Sequence, residues 1–374
     1  MHHRVSGVLL LCLALILSGC GGSTALAPTT APSTFSVATS TAATPGSTLA
    51  STPGAAVTPG GSPAAASGPR TKVTLQTGFL PSMNSAPFYL ALQQGYYAAE
   101  GLDVTIQDGS NPDLLKQVGS GGVDFGISGG DSVIPARAAG VPVVMVMQQF
   151  QQYPVGLITL AGGGVTINKP ADLKGKKIGV SAPNGSTYFG LLALLKTGNL
   201  TTGDVQIISI GFTELEALTQ KRVDAAMTFV TNEPVQAKAL GFPVNQMNVS
   251  DYANLVSTGL VTSDRMVQQH PDVVQRFVNA SLRGLVETQR NPEAAYQATI
   301  KRMPELSPAD ATVQRDVLTA TLTFEQQPSG HPYGWSDPAA WSTTVEFLKS
   351  VEVVTTNVDP TACYTNTFVD HAAP

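Results

Sequence analysis

Residues 177–191 read KIGVSAPNGSTYFGL: an apolar strand-like run, a Pro-Asn-Gly-Ser-Thr turn and the start of a helix. The first turn of a helix holds N–H groups without internal acceptors, so this spacing can grip a ligand through backbone N–H groups and hydroxyls. The same spacing also serves as an ordinary connection between two core elements. Motifs for covalent or phosphate chemistry are scarce. The chain has no His-Glu-x-x-His helix and no Gly-Lys-[Ser/Thr] loop, and GVSAPNGST lacks the lysine that a phosphate loop needs. After residue 70 the histidines are His270, His331 and His371; His270, in His270-Pro271-Asp272, has the context of a capping or surface residue. These residue types point to noncovalent binding, without a cofactor or metal.

The elements that must position such a turn begin well inside the chain. Residues 1–23 read MHHRVSGVLLLCLALILSGCGGS, with Arg4, an apolar run from Val8 to Leu17 and then small residues. That is a secretory signal, and the run is too short to span a bilayer permanently. Leu17-Ser18-Gly19-Cys20 resembles the bacterial lipobox, which implies acylation of Cys20 and anchoring at the outer face of the cytoplasmic membrane; the alternative is a simple signal with an accidental Cys. Residues 21–70 are almost all Ser, Thr, Ala, Pro and Gly with no charge before Arg70, a composition that cannot bury enough apolar surface to order itself and so reads as a disordered tether.

About 300 residues follow, enough for two lobes with cores of their own. They carry 19 basic and 26 acidic side chains, a net of −7. With no basic stripe, nucleic acid is excluded as a partner. Cys12 leaves with the signal and Cys20 takes the lipid, so Cys363 stands alone; no internal disulfide and no Cys-based metal site can form.

Strand-like and helical runs alternate: KVTLQTGF, SAPFYLALQQGYYAAEG, LDVTIQ, NPDLLKQVGSG, VDFGIS, then VPVVMVM, apolar throughout as in a strand covered on both faces. This is α/β patterning with a mostly parallel sheet. Residues 123–144, VDFGISGGDSVIPARAAGVPVV, and 223–244, VDAAMTFVTNEPVQAKALGFPV, repeat one design. Val-Asp opens a strand, a polar turn holds an acid, and a helix ends at Arg137 or Lys238 followed by Gly140 or Gly241, where a cation meets the negative end of the helix dipole and a glycine can take the left-handed cap. Two such units imply two similar lobes; shared composition of ordinary strand-helix units is the alternative. We place lobe 1 at 71–162, lobe 2 at 163–254 with AGGGVTINKP as hinge, and a return to lobe 1 with C-terminal helices at 255–374. Two chain crossings then form the hinge.

The blocks GFLPSMNSAPFYLALQQGYYAAEGLDVTI, GGVDFGISGGDSVIPARAAGVPV, KPADLKGKKIGVSAPNGSTYFGL and KRVDAAMTFVTNEP resemble the solute-binding proteins of ABC importers, in the branch that binds thiamine pyrimidines, riboflavin, taurine, alkanesulfonates and nitrate. The resemblance implies a type II periplasmic-binding fold, a small ligand in the cleft between lobes, ABC permease and ATPase subunits as partners, and a monomer. Carried onto matching positions, the family's contacts are Asn84 and Ser85, Asp131 and Ser132, Asn184, Ser186 and Thr187, and Thr231, Asn232 and Glu233, with Gln148 and Tyr153 toward the hinge. Open α/β sheets bind at the carboxyl ends of strands, where these residues fall. Asp131, Ser132, Asn184 and Ser186 can alternatively serve as helix caps.

Fungal pyrimidine-forming enzymes share the fold, but their Cys-rich signature and catalytic His have no counterpart in the matching loops here. Phe88, Tyr153, Tyr188, Tyr333 and Trp335 are rings that can stack on a flat heterocycle or simply pack a core. No Arg or Lys stands in the matching loops, while Asp131 and Glu233 are acidic. The expected ligand is therefore a nitrogen heterocycle, riboflavin or a thiamine-type pyrimidine, with taurine, alkanesulfonate or nitrate as the alternative.

Overall fold

The structure, a computed structural model, describes residues 68–373. The signal, Cys20 and almost all of the expected tether lie outside the described residues. Strands β1 (Thr71–Gln76), β2 (Leu102–Gln107), β3 (Phe125–Gly129) and β4 (Val143–Gln148) alternate with helices α1 (Ala86–Gln93), α2 (Tyr96–Ala99), α3 (Leu114–Ser120) and α4 (Gly130–Ala138). Next come β5 (Val155–Leu160), β6 (Lys177–Val180), α5 (Gly185–Thr197), β7 (Gln206–Ser209), α6 (Glu214–Thr219), β8 (Ala225–Phe229), α7 (Glu233–Ala239), β9 (Val244–Asn248) and β10 (Thr258–Ser263). The chain closes with α8 (Asp264–Gln269), α9 (Pro271–Arg290), α10 (Pro292–Ile300), α11 (Pro308–Leu322), α12 (Pro338–Ser350) and α13 (Thr367–Asp370).

These strands form two five-stranded sheets, β2-β1-β3-β10-β4 and β7-β6-β8-β5-β9. Each has parallel strands and one antiparallel member, β10 in the first and β5 in the second. The repeat read from sequence is a repeat in space. Asp124, just ahead of β3, accepts from the Thr74 N–H at 2.8 Å, and Asp224, just ahead of β8, accepts from the Lys177 N–H at 2.8 Å. Each Val-Asp pair thus ties its strand to the neighbouring parallel strand. The helices that follow end as expected, with Gly140 at φ 82° and Gly241 at φ 80° in the left-handed region.

The chain passes between the two sheets earlier than the stretch the sequence reading assigned to a hinge. β5 pairs with β8 and β9, so it belongs to the second sheet and the first crossing is residues 149–154. Gly162–Gly164 are an exposed turn after β5, away from the crossing. The physical reason is that an apolar strand leaving one sheet for another looks the same as one that stays. The second crossing, 249–257, precedes β10, which rejoins the first sheet.

β4 is buried along its whole length, as its unbroken apolar run predicts. Under the first sheet Phe277 of α9 stacks between Phe125 at 4.0 Å and Tyr97 at 4.8 Å. α9 lies close to α1 because residue 284 is Gly: a Cβ there would come within 2.2 Å of the Pro87 carbonyl oxygen.

Candidate functional site

The polar residues gather where the first sheet, the second sheet and the first crossing meet. Asp131 is the second residue of α4 and fully buried. Its position one residue inside the first turn favours a carboxylate there, and Gly129, not Asp131 or Ser132, is the cap residue. The Tyr153 hydroxyl, from the crossing, donates to Asp131 Oδ2 at 2.5 Å and lies 2.8 Å from the Ser186 carbonyl. Asp131 Oδ1 accepts from the Ser186 hydroxyl at 3.0 Å and the Ser132 hydroxyl at 3.1 Å. One carboxylate thereby joins both sheets and the crossing. A Cβ on Gly129 would sit 2.3 Å from Asp131 Oδ1 and 2.8 Å from Ser186 Oγ, which is why the chain needs Gly there. Burial raises the Asp131 pKa, against the pull of these three hydroxyls.

A second group joins Asn84 to three other elements. Asn84 Oδ1 lies 3.3 Å from the Thr231 hydroxyl of the second lobe and 3.1 Å from the Thr321 hydroxyl of α11. The Gln149 side-chain amide, in the crossing, donates to the Asn84 carbonyl at 2.6 Å and to Glu325 Oε1 at 2.6 Å. Glu325 has no exposed surface, and burial pushes its carboxyl up to about 8. Glu325 Oε2 and Gln149 Oε1 are buried without a hydrogen-bond partner.

A third group lines the carboxyl ends of β6 and β8. Glu233, first in α7, accepts from the Thr228 hydroxyl at 2.5 Å and the Asn232 amide at 3.0 Å. Glu214, first in α6, accepts from the Ser181 hydroxyl at 3.3 Å. Burial pushes Glu214 up to about 7, and the nearby Glu233 adds to the rise; burial raises Glu233 too.

Asp131, Ser132, Tyr153 and Ser186 thus converge, Asn84 meets Thr231, and Asn232 and Glu233 form the third group with Thr228. Ser85 and Thr187 are buried, the latter hydroxyl 3.4 Å from the Ser181 N–H. Asn184 caps α5 by position but is exposed and makes no side-chain cap bond. The Gln148 amide turns back to the Phe150 carbonyl at 3.0 Å. Trp335 stacks on His331 at 3.6 Å, and Tyr188 packs obliquely on Phe189, so each ring already has an aromatic neighbour. Gln149, Glu325, Thr321, Glu214 and Ser181 were not singled out from sequence. For Glu214 the signal was available, an acid opening a helix after a polar turn, as at Glu233.

Gly126-Ile127-Ser128-Gly129-Gly130 fits the Gly-x-Ser-x-Gly pattern, but Ser128 lies within β3, paired with Gly259, and not on a strand-to-helix turn. Cys363 is buried, which pushes its thiol up to about 11. Among the described residues no three His, Cys, Asp or Glu side chains form a metal-holding group, and no helix is long and apolar enough to cross a membrane. The three groups are thus buried carboxyls, amides and hydroxyls contributed by both sheets and the crossing.

Residues 82–295 match the protein family described as NMT1/THI5 like. The riboflavin-binding protein RibY of Chloroflexus aurantiacus is 35% identical over 322 residues, which cover 83% of this chain and 91% of RibY. A 4-amino-5-hydroxymethyl-2-methylpyrimidine phosphate synthase of Legionella pneumophila is 25% identical over 306 residues, 80% of this chain and 93% of the synthase. Among solved structures, the periplasmic aliphatic sulphonate binding protein SsuA of Escherichia coli matches with a TM-score of 0.63 at 19% identity, covering 79% of this chain and 92% of SsuA. That likeness shows a shared periplasmic-binding fold.

Proposed function

The chain belongs to the NMT1/THI5-like family, and on that premise we propose that it is the solute-binding lipoprotein of an ABC importer, which captures riboflavin between its lobes and delivers it to a permease. The observation that carries this reading is 35% identity to RibY across 91% of that protein's length. The site's chemistry supports it. Glu214, Glu233, Asp131 and Glu325 give the site buried carboxyl groups with no Arg or Lys bonded to them, which suits exchange of hydrogen bonds with ring N–H and carbonyl groups and offers a sulfonate or nitrate no cation to pair with. The synthase relative shares less of its sequence, at 25% identity.

Titrating the purified full chain with riboflavin should quench flavin fluorescence saturably and return the vitamin chemically unchanged by mass spectrometry. A hundredfold excess over Kd should stabilise the fold by about 2.7 kcal/mol if riboflavin binds only the native state. No saturable binding removes the riboflavin assignment, and a consumed ligand moves the protein to the enzymes.

The lipid anchor is a separate expectation, motivated by Leu17-Ser18-Gly19-Cys20 after an apolar run. Cys20→Ala should release the protein from the membrane fraction. Finding the variant still sedimenting with membranes would count against the anchor.

A further inference from the structure

We infer that Gln149 and Glu325 together form the specificity-determining edge of the site, reading a planar heterocycle that carries an N–H beside a hydrogen-bond acceptor. The inference rests on the heterocycle-binding reading above and adds which residues select the ring. Gln149 is 1% exposed and Glu325 has no exposed surface. Both hydrogens of the Gln149 amide are committed, one to the Asn84 carbonyl and one to Glu325 Oε1, so Gln149 Oε1 can only accept. No partner supplies a donor to it. Glu325 Oε2 is likewise without a partner, and with burial pushing this carboxyl up to about 8 the group is an acid at neutral pH whose O–H can donate.

The pair therefore presents one acceptor next to one donor, each buried and unserved. Leaving such atoms unpaired is costly, so a site with both selects the ligand that satisfies both. The pyrimidinedione ring of riboflavin has an N3–H flanked by two carbonyls and matches this order; an aminopyrimidine, with an amino N–H beside a ring nitrogen, matches it too. A sulfonate or nitrate has no N–H to give Gln149 Oε1. The pair stands at the seam between the lobes, because the Asn84 whose carbonyl Gln149 grips also meets Thr231 of the second lobe through its side chain. Glu325 lies beyond the stretch that matches the family, 82–295, so this edge can vary between relatives that share the rest of the site.

The test uses riboflavin, 3-methylriboflavin, in which the N–H is blocked, and 4-amino-5-hydroxymethyl-2-methylpyrimidine, titrated into the full chain. Wild type should bind 3-methylriboflavin at least tenfold more weakly than riboflavin. Glu325→Leu and Gln149→Leu should weaken riboflavin to about the level of the methylated analogue, while Glu325→Gln, which can still donate, should stay near wild type. Equal affinity of wild type for riboflavin and 3-methylriboflavin overturns the inference and leaves the riboflavin assignment standing. Binding of the aminopyrimidine alone, lost in Glu325→Leu, supports the edge and overturns riboflavin as the ligand. Silence toward all three overturns both.

Discussion

The chain should be least resistant to urea on the alkaline side of neutrality, losing several kcal/mol of stability between about pH 5 and about pH 8. Burial raises the carboxyls of Glu325, to about 8, and Glu214, to about 7, and raises Asp131 and Glu233 as well. In the unfolded chain the same groups release their protons near their ordinary values, around pH 4 to 4.5. The folded state therefore binds more protons throughout the window between the two values, and stability falls as pH rises through it. Below about pH 4 the contribution is fully present, and by about pH 8 it is spent for Glu325. Each tenfold change in proton affinity is about 1.4 kcal/mol, so Glu325 and Glu214 alone amount to several kcal/mol. Urea midpoints of the full chain across this range, with unchanged slope, measure it. Glu325→Gln should flatten the profile; a wild-type midpoint that is constant or climbs toward pH 8 contradicts the assignment of buried, protonated carboxyls.

That prediction draws on residues the sequence conceals. Alternating runs and the two Val-Asp repeats were enough to anticipate two α/β lobes, because the hydrogen bonds that the Thr74 N–H gives Asp124 and the Lys177 N–H gives Asp224 are set by local pattern and strand pairing. Asp131 and Ser186 were named through the family resemblance, at helix starts that follow strands, and the structure brings the two side chains to 3.0 Å. Glu325 was not named. It reaches the site from a stretch after α11 that follows no periodic pattern, and its partner Gln149 is 176 residues away. An acid in FEQQPSG looks like any exposed loop acid until a fold buries it. The crossing was misplaced because Gly162–Gly164 have the composition of a pivot, whereas the chain crosses at 149–154, where Gln149 and Tyr153 are buried and bonded.

Asp131→Ala should weaken ligand binding by roughly one to two orders of magnitude while leaving each lobe folded. Ser186 and Asp131 belong to different lobes, so their 3.0 Å hydrogen bond exists only when the lobes meet. Tyr153 comes from the crossing and spends its hydroxyl on the same carboxylate. A buried hydrogen bond contributes about 0.5 to 1.5 kcal/mol and a buried group left without its partner costs about 1 to 3 kcal/mol, while 1.4 kcal/mol is a factor of ten in affinity. Deleting the carboxylate removes that contribution from the closed form and strips the Ser186 and Tyr153 hydroxyls of a buried acceptor, so the equilibrium moves toward open and a fraction of the binding energy goes into closing it again. Asp131→Asn keeps an acceptor oxygen and should fall between wild type and Asp131→Ala. Tyr153→Phe leaves the Ser186 bond in place and should lower stability more than affinity. X-ray scattering at saturating riboflavin checks the mechanism directly: Asp131→Ala should need more ligand to reach the compact radius. Wild-type affinity together with wild-type compaction would show that the lobes do not close through Asp131.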